Sequence, residues 1–220
     1  MSKIKALLIN TVWTLYRLLF TAILLMTSAR AQSNALVAKD DSLPVAPSVS
    51  IATNAHAFPD KKQQFHNYLD SIIGPSAFIR AAIGAGIDQG KPAPPEWDSG
   101  ATGYGERYGS RFGMLMVSET AKYSLGAVMH EDVAYHRCLC TGFLPRTTHA
   151  FTSVFTAQTR SGRTVLSLPA IAAPYAGSFT AVNAWYPARY EPQDAARLGT
   201  MSFGFQAGGN MVREFFLRRH

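Results

Sequence analysis

The stretch GERYGSRFG, residues 105–113, carries a glycine at every fourth position. Residues four apart lie on one face of an α-helix, so Gly105, Gly109 and Gly113 form a stripe. Glycine costs about 1 kcal/mol relative to alanine inside a helix. Its recurrence therefore indicates that the close approach of a neighbouring helix backbone offsets this cost. The stretch predicts a helix that packs tightly through its glycine face.

The same spacing of small residues recurs along the chain, and this pattern predicts the fold class. It occurs at Ala77/Ala81/Ala85, at Ala173/Gly177/Ala181 and at Gly204/Gly208. Small residues on helix faces are typical of helices packed inside membranes, and densely packed soluble bundles use them too. We therefore expect a mainly α-helical, compact bundle of about five helices that pack through these Gly/Ala faces.

Hydrophobic periodicity and helix breakers place five helices in a domain spanning residues 61–217. The predicted helices run from Lys61 to the break at Lys91–Pro95, with a kink at Pro75, and then over Gly103–His130, Arg146–Gln158, Ser167–Tyr186 and Gln193–Leu217. In the first helix, Ile79, Ile83 and Ile87 share a stripe opposite Ala77 and Ala81.

One segment is also compatible with strands. Residues 151–157 and 164–168 are rich in Thr, Val and Phe and flank the turn at Ser161-Gly162, a pattern that also fits a β-hairpin. The alternating pattern of Met201–Phe205 also fits a β-strand, as an alternative to the helix predicted there. These stretches leave a membrane β-barrel as the alternative fold class.

The N-terminus has the pattern of a secretory signal peptide. Lys3 and Lys5 precede an apolar run, and Ala29-Arg30-Ala31 has the small-x-small form of a signal peptidase site. We therefore predict a signal peptide over residues 1–31, a Ser/Ala/Pro-rich flexible tether over residues 32–60, and export to the periplasm or outer membrane. A retained anchor is the alternative.

Cleavage would also change the charge balance. The whole chain has 21 Lys and Arg against 14 Asp and Glu, a net charge of +7. Residues 1–31 contain four basic residues and no acidic one, so 17 basic residues remain and the net charge falls to +3. This modest charge argues against nucleic acid as a partner.

The densest polar cluster is the segment 130–137. Imidazole and carboxylate groups are common zinc ligands, so His130, Asp132 and His136 are candidate metal ligands, with Glu131 as a candidate acid or base. The zincin spacing is absent, because the fourth residue after His130 is an alanine. A helix C-terminus with surface ion pairs is the favoured explanation of the cluster.

Cys138 and Cys140 are the only cysteines of the chain. In an oxidising compartment they can form a local disulfide bond, remain thiols or contribute to a metal site, and two ligands alone do not make such a site.

The helix at 103–130 contains further candidates. Glu119 adjoins the glycine face, where desolvation would raise its pKa as a general acid requires, although an ion pair with Lys122 would make it structural. Arg107, Arg111 and Lys122 lie on one stripe that can bind phosphates, including lipid headgroups, or can simply be solvated.

Several short motifs together resemble a known group of sequences. They are Glu96-Trp97, Gly103-Tyr104-Gly105, Arg107, His130-Glu131-Asp132 and Trp185-Tyr186-Pro187. The stretch from Phe65 to Phe216 resembles a family of hypothetical exported proteins of soil bacteria. This resemblance implies a coherent domain and brings no function or catalytic residue with it.

The glycine faces, the export pattern and the uncharged segment Thr164–Ala188 favour a non-enzymatic protein of the cell envelope. Its helices would associate with membrane lipid or with other copies of the chain, without a cofactor. The first alternative is a soluble bundle that encloses an apolar ligand such as a lipid. The second is a metal-assisted hydrolase that uses the 130–136 cluster and Glu119 or Glu131.

Overall fold

The computed structural model describes residues 57–216, which lie within a single unit. The predicted signal peptide and residues 32–56 of the predicted tether lie outside the described residues; residues 57–60 form no helix or strand. The helices are α1 (Lys61–Ile73), α2 (Pro75–Gly90), α3 (Ala101–Met129), α4 (Phe143–Thr152), α5 (Leu168–Ala184) and α6 (Pro192–Phe215). The strands are β1 (Glu131–Asp132), β2 (Thr156–Thr159) and β3 (Thr164–Leu166).

The long helix α3 is the centre of the fold. It packs against α1, α2 and α5, while α6 packs against α5 and α4. The three short strands form an antiparallel sheet in the order β1-β2-β3, with Glu131 opposite Thr159. This sheet fixes the chain directly after α3, where the polar segment 130–137 begins.

The prediction of a mainly helical fold is confirmed. The first predicted helix is broken at Gly74, which is extended and precedes Pro75 at the first position of α2. Taking α1 and α2 as the two halves of that helix, the described part of the chain contains the five expected helical segments. No helix between residues 57 and 216 combines the length and hydropathy needed to cross a bilayer.

The predicted helix Arg146–Gln158 was wrong in its second half. The structure ends α4 at Thr152 and pairs Thr156–Thr159 with Thr164–Leu166 in an antiparallel hairpin around Gly162, which has a positive φ of 75°. The β-branched residues of this segment therefore form a hairpin, which was the competing interpretation. Pairing with β1 adds a third strand, and this long-range contact favours strand over helix.

The two faces of α2 are reversed relative to a helix of a soluble protein. Its small residues, among them Ala77, Ala81 and Ala85, are buried against α3. Its isoleucines Ile79 and Ile83 are more than half exposed. A soluble helix normally buries its large apolar side chains instead.

Helix α6 shows the same reversal. Its buried residues include Asn210 and Glu214, whereas Met201 and Val212 are about half exposed. Asn210 donates a hydrogen bond to the Ala150 carbonyl of α4 at 3.1 Å, which satisfies its buried amide. Small and polar residues therefore hold these helices together, and large apolar residues cover the outside.

The small-residue faces fall into two groups. Gly177 lies against Ser118 and Met114 of α3, and Ala173 and Ala181 beside it are buried, so this face of α5 is a packing face. Gly113 lies against the Trp185 ring.

The other group has no neighbour. This group consists of Gly105, Gly109, Gly204 and Gly208. A Cβ atom added at any of them would have no neighbouring atom within 4 Å. The expected packing of α3 through Gly105 and Gly109 is thus corrected, because α3 turns its Arg107, Ser110 and Met114 side inward instead.

Candidate functional site

Three cationic side chains from three helices gather around one carboxylate. Arg80 of α2 and Lys122 of α3 both form ion pairs with Glu119, at 3.1 Å to Oε1 and 2.6 Å to Oε2. Arg213 of α6 lies close enough for its charge to interact with those of Arg80 and Glu119. We call Arg80, Lys122 and Arg213 the cation cluster.

The pKa of Glu119 is shifted in the direction opposite to the expected one. Burial opposes ionisation of this carboxyl, but the positive charges of Lys122 and Arg80 outweigh burial and lower its pKa below the ordinary value. The expectation of a raised pKa is therefore corrected. A carboxylate held ionised between two cations has no proton to donate, so the geometry gives Glu119 the role of an ion-pair partner.

Arg213 is the least satisfied member of the cation cluster. Its guanidinium has no hydrogen-bond or ion-pair acceptor among residues 57–216, and it is only partly exposed. Burial, followed by the charge of Arg80, lowers its pKa below the ordinary value. Its environment therefore disfavours the positive charge that it carries.

The neighbouring residue Glu214 is, in contrast, fully satisfied. It is 1% exposed, accepts a hydrogen bond from the Tyr135 hydroxyl at 2.6 Å and forms an ion pair with Arg146 at 3.1 Å. Burial opposes ionisation, but the bonds from Tyr135, Arg146 and the Cys138 amide lower the pKa of Glu214. This network attaches the end of α6 to α4 and to the loop before it.

Arg107, a predicted phosphate ligand, is buried and fully bonded. Its five N–H groups donate to Gln89 and to the carbonyls of Ala93, Pro94, Trp97 and Asp98. It therefore fixes the loop between α2 and α3, and none of its donors is available for a headgroup in this structure.

Arg111 and Lys122, the other two predicted phosphate ligands, are also paired. Arg111 bonds both oxygens of Asp88, at 2.5 and 2.6 Å, and its guanidinium lies 5.3 Å from the centre of the Phe205 ring. Lys122 lies in the cation cluster. The predicted basic stripe of α3 thus faces inward.

The candidate metal ligands are not brought together. His130 is exposed and ends α3 in a left-handed conformation, with φ of 58°, while Asp132 Oδ2 lies 2.7 Å from His136 Nε2. Within the described part of the chain, no group of three His, Cys, Asp or Glu side chains is placed to hold a metal ion. The pair of Asp132 and His136 orders the loop after β1.

Glu131 is buried and contacts the start of α5. Its Oε2 accepts a hydrogen bond of 2.6 Å from the Ser167 hydroxyl, which is buried and accepts from the Ala170 amide as the N-cap of α5. Glu131 thereby joins the sheet to α5. The two cysteines close a disulfide bond, Cys138–Cys140, and the exposed Leu139 lies between them.

A shallow apolar groove lies along α3 at residues 109–113. Gly109, Ser110, Gly113 and Trp185 line it, its volume is about 120 Å³, and the Trp185 indole donates to Ser110 at 2.9 Å. Pockets that enclose drug-sized ligands have volumes of roughly 300–1,000 Å³. This groove is smaller than a cavity able to enclose a lipid.

Sequence reasoning missed Arg80 and Arg213 as members of the site. Arg80 is the single cation of α2, and such an isolated charge in an apolar helix is itself a signal, because it requires a partner. Arg213 gave no such signal, since it lies among other polar residues near the end of α6. No family model, curated protein or solved structure matches this chain.

Proposed function

We propose that this chain is a non-enzymatic, exported envelope protein that binds a membrane surface through exposed apolar side chains. The exported location rests on the N-terminal sequence pattern. Membrane binding rests on the reversed faces of its helices, and above all on α2. The resemblance to exported proteins of soil bacteria agrees with this location and remains a prediction.

The arrangement of α2 is the observation that carries the proposal. Both charged residues of this helix point inward, where Arg80 pairs with Glu119 and Asp88 pairs with Arg111. On its outer face Ile79, Ile83 and Ile87 form an uncharged ladder, with exposures of 41% to 58%. Paired charges inside and large apolar groups outside are what a helix in contact with lipid requires.

A second apolar surface lies at the loop that leads into α4. Leu139, Phe143 and Leu144 are 59%, 66% and 74% exposed. The Phe143 ring contacts Phe215 at the end of α6, with ring centroids 5.3 Å apart. Short loops that expose Leu and Phe can insert into the interface between headgroups and acyl chains, and this surface supports the same function.

Flotation of the mature protein with phosphatidylcholine vesicles tests the proposal. Ile83→Glu places a carboxylate in the middle of the ladder and should reduce the bound fraction at least about tenfold, since burying one isoleucine contributes about 2 kcal/mol. Gln193→Glu adds the same charge at an exposed polar position and should bind like the wild type. A wild-type protein that stays with the soluble fraction at all lipid concentrations contradicts membrane binding.

Self-association is the second candidate, supported by the open groove over α3. Gly109 lies in this groove with no neighbour within 4 Å, so a helix of another copy has room to approach its backbone. Gly109→Leu would fill the groove and should convert an oligomer into a monomer in light scattering, whereas Ser124→Leu on the same helix should not. A monomeric wild type contradicts this candidate.

A further inference from the structure

We propose that a basic patch of this protein binds the anionic headgroups of a phospholipid membrane. The patch consists of two lysines in the first turn of α1, Lys61 and Lys62, and two arginines in the turn between β2 and β3, Arg160 and Arg163. This inference rests on the proposed function, because it names the class of lipid that the membrane-bound protein recognises. It uses none of the isoleucines of α2, so the two can be tested separately.

A contact between distant parts of the chain assembles the basic patch. The guanidinium carbon of Arg160 lies 5.5 Å from the centre of the Phe58 ring. Phe58 precedes Lys61 by three residues, a separation that spans at most about 11 Å. The turn is held by two hydrogen bonds from Thr159 to the Arg163 carbonyl, one from the amide at 2.9 Å and one from the hydroxyl at 3.2 Å. The two arginines and the two lysines therefore lie in one region of the surface.

The charges of the basic patch are not neutralised within the protein. All four side chains are exposed, and none forms an ion pair with a carboxylate in the described part of the chain. Segments 57–66 and 156–168 contain these four basic residues and one acidic residue, Asp60, which leaves an excess of three positive charges. The Asp60 carboxylate accepts a hydrogen bond of 2.7 Å from the Gln63 amide as the N-cap of α1. The excess charge therefore faces the solvent.

The fold does not account for the two lysines. The first turn of a helix carries a partial positive charge, so a cation there destabilises the helix slightly and a carboxylate stabilises it. Helix α1 nevertheless begins with Lys61 and Lys62 and has no acidic residue in its first turn. An anionic partner outside the protein gives both lysines a function that α1 itself does not require.

Two exposed leucines beside the arginine turn indicate the kind of anionic partner. Leu166 and Leu168 are 72% and 60% exposed. Leu166 ends β3, and three residues of strand span about 10 Å, so it lies close to Arg163. In membrane-bound segments apolar side chains enter the acyl-chain region, while Lys and Arg stay at the level of the headgroups. An anionic phospholipid surface matches both groups, whereas a nucleic acid matches the cations alone.

The experiment is flotation of the mature protein with two kinds of vesicle, phosphatidylcholine alone and an equimolar mixture with phosphatidylglycerol. The wild type should bind the mixed vesicles more tightly. Each cation near an anionic surface contributes about fivefold in affinity, so the arginine pair Arg160→Gln/Arg163→Gln should lose about thirtyfold for the mixed vesicles and little for the neutral ones. The lysine pair Lys61→Gln/Lys62→Gln should show the same loss. Salt at about 1 M, where the screening length is about 3 Å, should remove the preference of the wild type.

Three further variants separate charge, position and apolar contact. Arg160→Lys/Arg163→Lys keeps both charges and should keep the preference for the mixed vesicles. Lys91→Gln/Arg197→Gln removes two exposed cations outside the basic patch and should behave like the wild type. Leu166→Ser should lose about tenfold in affinity for both kinds of vesicle, because it removes an inserted side chain. Circular dichroism should show the wild-type fold in every variant, since the exchanged side chains are exposed.

Three results overturn the inference. The first is a wild type that binds both kinds of vesicle equally, and the second is a glutamine pair that retains the wild-type preference. The third is binding of a single-stranded oligonucleotide that the glutamine pairs lose and Leu166→Ser retains, with no preference between vesicles, which would assign the basic patch to nucleic acid. In each case, binding to neutral vesicles that is lost in Ile83→Glu would still support the proposed function, so the two failures are distinguishable.

Discussion

Gly177 of α5 lies directly against Ser118 of α3, in the interface between these two helices. A side chain at position 177 would overlap the Ser118 hydroxyl and the Met114 carbonyl. The contact explains why a helix whose outside is apolar still has a defined inner face: small residues allow the two backbones to interlock.

Gly177→Ala should therefore destabilise the protein by about 1–3 kcal/mol, because the added methyl group forces α3 and α5 apart. Gly204→Ala is the matched control. Its Cβ meets no atom within 4 Å, and it should be neutral or stabilising by up to about 1 kcal/mol. Urea denaturation measures both values, and equal effects of the two substitutions would contradict the packing role of Gly177.

Arg107→Met should loosen the loop between α2 and α3. The substitution removes all five buried hydrogen bonds and leaves four loop carbonyls without a partner, which should cost at least about 3 kcal/mol. Hydrogen exchange should increase most in residues 91–100. Arg163→Met changes an exposed arginine of the β2–β3 turn and should leave both stability and exchange unchanged.

Ser167→Ala should weaken the junction between the sheet and α5. It removes the N-cap bond to Ala170 and leaves the buried Glu131 carboxylate without its hydroxyl donor, so we expect a loss of about 1–3 kcal/mol. Ser124→Ala, at an exposed position of α3, is the control. A thermal unfolding curve of Ser167→Ala identical to that of the wild type would disprove the junction.

Acid should remove the contribution of Glu119 to stability. Its pKa is lowered from the ordinary 4.5 in the folded protein, so its stabilising effect is complete above that value and disappears as the pH falls through the folded pKa. The difference in unfolding free energy between wild type and Glu119→Gln should therefore be constant near neutral pH and shrink as the pH falls below 4.5. Glu106→Gln, at an exposed site, should show no such trend.

The helices could be predicted because their signals are local. The 3.6-residue period together with the breaks at Gly74-Pro75 and Lys91–Pro95 placed α1, α2 and α3 within a few residues of their observed ends. The end of α4 could not be placed in this way. Thr156–Thr159 become a strand by pairing with β3 and with β1, and β1 is distant in the sequence.

The sequence by itself determined that each helix has two different faces, since periodicity fixes which residues share a side. Only the tertiary structure decided which face is inward. Ile79 and Ala81 are both apolar, and the choice between them depends on how closely α2 approaches α3. The cation cluster was likewise decided by tertiary structure, because Arg80 and Glu119 are 39 residues apart and Arg213 comes from a third helix, so the charges meet only when α2, α3 and α6 have packed.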